Sequence, residues 1–150
     1  YPLPSLRLEP GRSIVADAGM TLYTVGTVKR IRGYKNYVSV DGGMTDNPRY
    51  TLYEAEYTIL PADRMFDERN FVCTVAGRCC ESGDLLGENV AIQEVHPGDV
   101  LAVLATGAYN YSMASNYNRV PRPPIVMLGE NGPYVAVRRE TYEDLLTCDL

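Results

Sequence analysis

Short runs of β-branched and aromatic residues, separated by Gly, Pro and Asn, make up most of this chain. Such runs predict β-strands that end at turns. The run 100–105, VLAVLA, is apolar at every position and predicts a strand buried on both faces. The sequence GENG at 129–132 lies between two further runs and predicts a β-hairpin. The other predicted strands lie at 21–31, 37–40, 57–60, 71–77 and 89–95.

Helical patterns are sparse. Residues 13–19 predict a turn or two of helix that ends at Gly19, and the segment 45–56 predicts another short helix. Thr141 and Asp144 form a capping-box pattern that predicts a short C-terminal helix. Seven or eight short strands with few helices predict an all-β fold, a mostly antiparallel Greek-key barrel or sandwich. Because the chain has no internal repeat and no low-complexity linker, we interpret residues 1–150 as one domain.

The charge of the chain narrows the classes of partner. A net charge of −5 with only two lysines, Lys29 and Lys35, argues against binding to nucleic acid or to an anionic membrane, which requires a dense basic patch. No apolar run approaches the roughly 20 residues of a membrane span, and the first residues lack the features of a secretory signal. We therefore expect a cytoplasmic protein. The abrupt start without Met suggests a piece of a longer or processed protein.

The four cysteines, Cys73, Cys79, Cys80 and Cys148, show neither CxxC spacing nor a paired His motif, which argues against a zinc site. A disulfide between the adjacent Cys79 and Cys80 would be strained. Reduced thiols are the simplest expectation.

Four polar, Gly-rich segments fall at the ends of predicted strands, where binding sites are often built. Each has a simple structural explanation when it is taken alone, as a turn, a helix start or a loop. In CCESGD, for example, two small thiols complete a strand before a turn. Yet a thiol near a cation or cofactor can also move a proton near neutral pH, and the neighbouring carboxylate could bind an ammonium group. The segments are EPGR (9–12), DNPRYTLYEAE (46–56), GRCCESGD (77–84) and GAYNYSMASNYN (107–118).

Taken together, these segments are more specific. In their order along the chain they resemble the C-terminal domain of the diaminopimelate decarboxylases, which are fold-type III, pyridoxal-phosphate-dependent enzymes related to alanine racemase. The resemblance runs from about Leu8 to the C-terminus. It implies that an N-terminal (β/α)₈ barrel, absent from this chain, carries the lysine that forms the Schiff base with pyridoxal 5′-phosphate. The Pro-rich first dozen residues would then connect to that barrel, and the isolated chain would be inactive.

The resemblance also implies residue roles. Glu9, Pro10, Gly11 and Arg12 correspond to the segment at the cofactor phosphate, and Arg12 would also reach the substrate. Arg49 and Tyr53 correspond to residues that grip the distal carboxylate of diaminopimelate. Cys80 corresponds to the catalytic proton donor, and Glu81 to the carboxylate that receives the distal ammonium group, both acting across a homodimer interface. Tyr109 corresponds to a tyrosine near the cofactor phosphate and the substrate. Cys79 has no implied role.

The implied reaction is the decarboxylation of meso-diaminopimelate to L-lysine and CO₂ in lysine biosynthesis. Two alternatives stay open at this point. One is a non-catalytic β-domain that acts in dimerisation or regulation, which the retained polar residues disfavour. The other is a carboxynorspermidine, arginine or ornithine decarboxylase of the same fold, which Glu81 and Arg49 disfavour, because the amine end of ornithine calls for Asp after the Cys and needs no second Arg.

Overall fold

The computed structural model describes residues 3–150, in which eight β-strands and three short α-helices are found. The α-helices are α1 (Arg12–Val15), α2 (Arg49–Tyr53) and α3 (Tyr142–Leu145). The strands are β1 (Met20–Arg30), β2 (Asn36–Val40), β3 (Ile59–Pro61), β4 (Phe71–Ala76), β5 (Leu85–Ile92), β6 (Val100–Leu104), β7 (Ile125–Gly129) and β8 (Gly132–Val137).

Six of the strands form one curved sheet in the order β3-β6-β1-β2-β4-β5. All neighbours are antiparallel except β2 and β4, which are parallel. The long strand β1 pairs with β6 through its first half and with β2 through its second half, with a register shift between Val25 and Val28. Such an irregularity increases the local twist, so the sheet curls until its edge strands β3 and β5 come into contact. The predicted mostly antiparallel β-barrel is confirmed.

The centre of the barrel is filled by alternating side chains of the curved sheet. Tyr23 and Val25 point inward from β1, because successive residues of a strand face opposite sides. In β6, Leu101, Ala102 and Val103 are buried between two neighbouring strands, as the apolar run predicts, whereas Val100 is exposed and Leu104 and Ala105 are only partly buried. Burial of each such Val or Leu side chain stabilises the fold by about 1.5–3 kcal/mol relative to exposure.

Two strands, β3 (Ile59–Pro61) and β5 (Leu85–Ile92), differ at both ends from the predicted 57–60 and 89–95. β5 begins at Leu85 rather than at residue 89 and ends at Ile92, because the 77–84 turn closes with a hydrogen bond from Gly77 N to Asp84 O. Gly87 and Glu88 interrupt the hydrophobic pattern and hid this earlier start. β3 includes Pro61, which the prediction used as a strand stop. Pro61 is tolerated because β3 is the edge strand of the ladder, where one missing N–H leaves no neighbour unpaired.

The remaining local predictions are confirmed. α1 continues into a 3-10 turn and ends before Gly19, and α2 lies within the predicted segment 45–56. Thr141 and Asp144 form the predicted capping box at α3. β7 and β8 form the predicted hairpin as a separate two-stranded sheet. Within the predicted connecting segment, Tyr1 and Pro2 lie outside the described residues, and residues 3–10 form no regular secondary structure.

Among the helices of residues 3–150, none has the length and apolar character needed to cross a membrane.

Candidate functional site

The strand directions bring the four polar segments to one end of the barrel. β2 and β4 are parallel, so the residues that follow them, from 41 and from 77 onward, leave the sheet at the same end. β6 is antiparallel to β1 and ends beside its first residue, with Leu104 opposite Met20. Residues 11–19 before β1 and residues 105–118 after β6 therefore share this end too. The turns at 31–35, 62–70 and 93–99 lie at the other end of the barrel.

Arg12 stands at the start of α1, over the end of β6. Its Nη2 donates a hydrogen bond to the carbonyl oxygen of Ala105 at 3.4 Å. Its guanidinium carbon lies 5.6 Å from the ring centroid of Tyr57. An aromatic face holds a guanidinium in place without neutralising it, so most of the hydrogen-bond donors of Arg12 stay available to an anion.

Tyr109 contacts both Gly11, the residue before Arg12, and a second arginine, Arg49. Its hydroxyl lies so close to Gly11 that a Cβ at that position would collide with it. Its ring centroid lies 5.6 Å from the guanidinium carbon of Arg49. Only a glycine at position 11 allows this approach, which gives the EPGR segment a structural requirement at its third residue.

Arg49 is the first residue of α2 and lies between two aromatic rings. Its guanidinium carbon is 5.4 Å from the ring centroid of Tyr53, one helical turn later, in addition to its contact with Tyr109. Its Nε is buried and has no hydrogen-bond partner, and neither Arg49 nor Arg12 forms an ion pair within residues 3–150. Arg12 and Arg49 are thus two guanidinium groups without a carboxylate partner at the same end of the barrel, and we call them the Arg12–Arg49 cluster. Such groups suit a carboxylate or a phosphate.

The backbone just after β6 is strained at Ala105 and at Tyr109. Ala105 has φ of 58° and Tyr109 has φ of 67°, both in the left-handed region that residues with a side chain avoid. Each such position costs on the order of 1 kcal/mol or more and persists only where its surroundings enforce it. Here the strain places the Ala105 carbonyl on Arg12 and the Tyr109 ring on Arg49.

The CCESGD turn presents two exposed groups. Cys80 and Glu81 are exposed, whereas Cys79 is partly buried. The Glu81 carboxylate accepts hydrogen bonds from Gly83 N at 3.2 Å and from Ser82 Oγ at 3.4 Å, which fix its position in the turn. Burial, together with the adjacent Asp84 carboxylate, raises the pKa of the Cys79 thiol to about 11. The Cys79 thiol is therefore protonated and poorly nucleophilic at neutral pH.

The turn is tied to α2 by a side-chain contact. Thr51 Oγ1 donates a hydrogen bond to the carbonyl oxygen of Gly83 at 2.8 Å. This bond brings the Cys80–Glu81 pair close to the helix that carries Arg49 and Tyr53. Within residues 3–150, the side chains of Cys80 and Glu81 nevertheless form no hydrogen bond or ion pair with Arg12 or Arg49.

The structure thus assembles part of the predicted site. Arg49, Tyr53 and Tyr109 lie in one chain of contacts, and Gly11 packs on Tyr109. Arg12 follows Gly11, but its side chain contacts Tyr57 and Ala105 instead. Cys80 and Glu81 lie on the neighbouring turn and face outward. Glu9 and Pro10 are exposed in the segment that leads to α1. Two surface depressions of the described residues lie away from the cluster, one along residues 30–36 and the other between Arg122, Cys148 and their neighbours.

Sequence reasoning missed several residues that support the cluster. The ring of Tyr57 packs against the Arg12 guanidinium, and the Tyr57 hydroxyl donates a hydrogen bond to Asn110 Oδ1 at 3.3 Å. Tyr23 donates a hydrogen bond to the buried Asp46, and burial raises the pKa of both groups. Asp84 is buried in the CCESGD turn. The sequence did contain a signal that Asp46 and Asp84 support these loops, because each follows glycines closely, in DGGMTD and in GRCCESGD.

Comparison with known proteins identifies the family to which this chain belongs. Residues 13–107 match the family described as the pyridoxal-dependent decarboxylase, C-terminal sheet domain. The chain belongs to this family. Family membership confirms the resemblance that the polar segments indicated.

The relatives of this decarboxylase domain are consistent with one another. It is 50% identical over its whole length to the diaminopimelate decarboxylase of Bacillus subtilis, and 52% identical over 147 residues to that of Actinosynnema pretiosum. It also superposes on the crystal structure of diaminopimelate decarboxylase from M. jannaschii in complex with L-lysine, with a TM-score of 0.87 and 40% identity over 99% of this chain. The chain spans about a third of each of these relatives, with 34%, 33% and 33% covered.

Proposed function

We propose that this chain is the C-terminal β-domain of a diaminopimelate decarboxylase, an enzyme that converts meso-diaminopimelate to L-lysine and CO₂. The observation that carries the proposal is Arg49, held unpaired between the rings of Tyr53 and Tyr109. A planar guanidinium with free donors suits the distal carboxylate of diaminopimelate, which ornithine lacks. The relatives named for this activity, and the lysine complex of one of them, support the same substrate.

The positions of the two lysines support a cofactor-binding barrel elsewhere in the protein. Lys35 lies at the opposite end of the barrel and pairs with Glu88 Oε1 at 2.7 Å. Lys29 is exposed on β1, one position before the end of that strand. Neither lysine is near the Arg12–Arg49 cluster, so we assign the Schiff-base lysine to an N-terminal (β/α)₈ barrel.

The residues at the start of α1 fit pyridoxal 5′-phosphate. The Tyr109 hydroxyl lies against the Gly11 backbone, and no carboxylate of residues 3–150 pairs with Arg12, whose donors stay available to an anion. These residues, with Glu9 and Pro10, would hold the cofactor phosphate, while Arg12 and Tyr109 also contact the substrate. When bound, the cofactor supplies an electron sink for cleavage of the bond between Cα and the carboxylate.

The other site residues orient the substrate and move one proton. Arg49 and Tyr53 bind the distal carboxylate, and Glu81 accepts hydrogen bonds from the distal ammonium group. The Cys80 thiol returns a proton to the substrate carbon after CO₂ has left. Cys80 and Glu81 face outward from this domain, which supports their acting on the site of a second subunit in a homodimer.

The exposed apolar surface of the domain supports contacts with another domain and with a second subunit. Large apolar side chains on the N-terminal segment and on the start of β1 are more than half exposed, among them Leu3, Leu6, Leu8, Met20 and Leu22. An apolar surface of this kind is typical of an interface. We assign it to the N-terminal barrel and to the second subunit, in a soluble cytoplasmic enzyme.

The direct test measures CO₂ release from meso-diaminopimelate by the full-length protein and by the 150-residue chain, each with added pyridoxal 5′-phosphate. The full-length protein should release CO₂ and form L-lysine. The 150-residue chain should do neither and should give no new absorbance with the cofactor. A full-length protein that decarboxylates ornithine but not diaminopimelate would contradict the proposed substrate.

A further inference from the structure

A buried hydrogen bond links the core of the barrel to the loop that leads into α2. Tyr23 points inward from β1 and belongs to the hydrophobic core, and its hydroxyl donates a hydrogen bond to Oδ2 of Asp46. Asp46 is itself buried and lies in the loop between β2 and α2. The bond therefore fixes a point of this loop to a strand at the centre of the sheet.

The loop folds around the Asp46 carboxylate. Its other oxygen, Oδ1, accepts hydrogen bonds from Gly43 N at 3.0 Å and from Thr45 Oγ1 at 3.3 Å. A Cβ at Gly42 would collide with the Tyr23 ring and with Asp46 Oδ1, so only a glycine admits this packing. Both carboxylate oxygens thus have donors, as a buried carboxylate requires.

Only two residues separate Asp46 from Arg49. Asn47 is fully buried, and its backbone N donates a hydrogen bond to Gly43 O at 2.8 Å. Pro48 is the N-cap of α2, and its ring restricts the backbone at that point. A displacement of Asp46 is therefore passed on to Arg49, because the short connection has little freedom to absorb it.

The same loop contacts the segment that carries Tyr109. The carbonyl oxygen of Thr45 accepts a hydrogen bond from Ser115 N at 2.8 Å, and Arg49 packs on the Tyr109 ring. In the proposed function Arg49 and Tyr109 serve the site of their own subunit. All the contacts that set the place of Arg49 in that site thus lie within one chain.

We infer that the Tyr23–Asp46 pair positions Arg49 for the distal carboxylate of the substrate. This inference rests on the proposed function. Neither Tyr23 nor Asp46 touches the substrate in this assignment, so both are positioning residues that act through Arg49. Arg49 binds the end of diaminopimelate that is remote from the carbon losing CO₂. A displaced Arg49 should therefore weaken substrate binding, which raises KM, and leave kcat nearly unchanged.

The test is Tyr23→Phe in the full-length enzyme, alone and combined with Arg49→Lys. Phenylalanine keeps the ring in the core and removes only the hydroxyl, so the fold is retained while Asp46 Oδ2 loses its donor. Tyr23→Phe alone should raise KM for meso-diaminopimelate about fivefold and change kcat by less than about twofold. In the Arg49→Lys background it should raise KM little further, because both substitutions weaken the same interaction.

Gln93→Met is the matched control. Gln93 is also a buried polar side chain that holds a loop, and its Nε2 donates hydrogen bonds to Met65 O at 3.1 Å and to Asp67 O at 2.8 Å. These contacts lie at the opposite end of the barrel, so Gln93→Met should lower the melting temperature without changing KM. The inference would be overturned if Tyr23→Phe also left KM at the wild-type value, or if it raised KM equally in the wild-type and Arg49→Lys backgrounds.

A second measurement does not depend on decarboxylation. Phenylglyoxal modifies accessible guanidinium groups, and Arg49 is only partly exposed. In the substrate-free full-length protein, the rate of Arg49 modification, followed by peptide mass spectrometry, should rise about threefold in Tyr23→Phe, because the loop loses its link to the core. The exposed Arg32 provides the internal reference. An unchanged Arg49 rate would contradict the positioning role whatever reaction the protein catalyses, whereas a raised rate in a protein that releases no CO₂ from meso-diaminopimelate would contradict only the proposed function.

Discussion

Thr51 Oγ1 donates a hydrogen bond to the carbonyl oxygen of Gly83 at 2.8 Å, and this bond joins helix α2 to the turn that carries Cys80. The Thr51→Val substitution keeps the side-chain shape and removes the donor. We expect a loss of about 1 kcal/mol in the free energy of unfolding. Urea unfolding of the 150-residue chain measures this loss.

The exposed Thr27 on β1 offers the matched control for Thr51. Thr27→Val should change the free energy of unfolding by less than about 0.5 kcal/mol. Hydrogen exchange should also quicken in residues 79–84 of Thr51→Val and stay constant in the β7–β8 hairpin. Equal destabilisation by both substitutions would show that the bond to Gly83 contributes nothing specific.

Arg49→Lys tests the proposed carboxylate site. Lysine keeps the charge but loses the planar, two-pronged donor and its stacking between Tyr53 and Tyr109. Loss of one charge-assisted hydrogen bond, about 1.5–3 kcal/mol, should raise KM for meso-diaminopimelate roughly 10- to 100-fold in the full-length enzyme, with a smaller effect on kcat. Arg32→Lys, in the exposed turn at the opposite end, should leave both constants unchanged. A KM at the wild-type value would remove Arg49 from the substrate pocket.

The adjacent cysteines should respond differently to substitution. Cys80→Ala should lower kcat by about 10²-fold or more, as expected for loss of a general acid, while cofactor absorbance in the full-length enzyme stays unchanged. Cys79→Ala should leave kcat near the wild-type value, because the Cys79 thiol is partly buried and its pKa, raised to about 11, makes it a poor proton donor at neutral pH. Steady-state kinetics of both variants decide the matter, and a large kcat loss in Cys79→Ala would contradict the assignment.

Glu140 should make stability depend on pH in acid. Its carboxylate accepts hydrogen bonds from Arg122 Nε at 2.7 Å, from Arg122 N at 2.8 Å and from Asn116 Nδ2 at 2.6 Å. The Arg122 side chain is the main reason that the pKa of Glu140 falls from 4.5 to about 2. The stabilisation is therefore complete above the unfolded-state pKa and is lost as the pH falls from about 5 toward 2.

Glu140→Gln should lower the free energy of unfolding by roughly 1–2 kcal/mol at pH 7 and by less at pH 3. Urea unfolding of the chain at several pH values measures the difference. Glu130→Gln, in the exposed hairpin turn, serves as the control and should change neither the stability nor its pH dependence. If Glu140→Gln kept the full acid sensitivity of the parent chain, the destabilising protonation would have to occur at another carboxylate.

Local sequence patterns were sufficient for most of the secondary structure. The capping box at Thr141 and the hairpin around 129–132 are short-range features, determined by neighbours in the chain. The starts of β3 and β5 were placed wrongly because their limits depend on pairing. β3 begins and ends where it lies against β6, and β5 begins where the Asp84 turn closes.

The candidate site was accessible to sequence reasoning only in part. Arg12, Arg49 and Tyr109 lie in motifs, so a resemblance could identify them. Tyr57 and Asp84 were missed because their roles come from contacts with residues distant in the chain, Arg12 for the first and Met44 for the second. The left-handed backbone at Tyr109, which aims its ring at Arg49, likewise leaves no mark on the sequence.

The amino-acid sequence by itself determined the β-rich fold class, the turns and the set of polar segments that carry the chemistry, since all of these follow from short-range pattern and residue type. The tertiary structure decided which segments meet. The parallel pairing of β2 with β4 and the antiparallel pairing of β1 with β6 place the four segments at one end of the barrel. Strand order depends on the burial of the whole core, a free energy summed over the entire sheet, and no local stretch of sequence contains it.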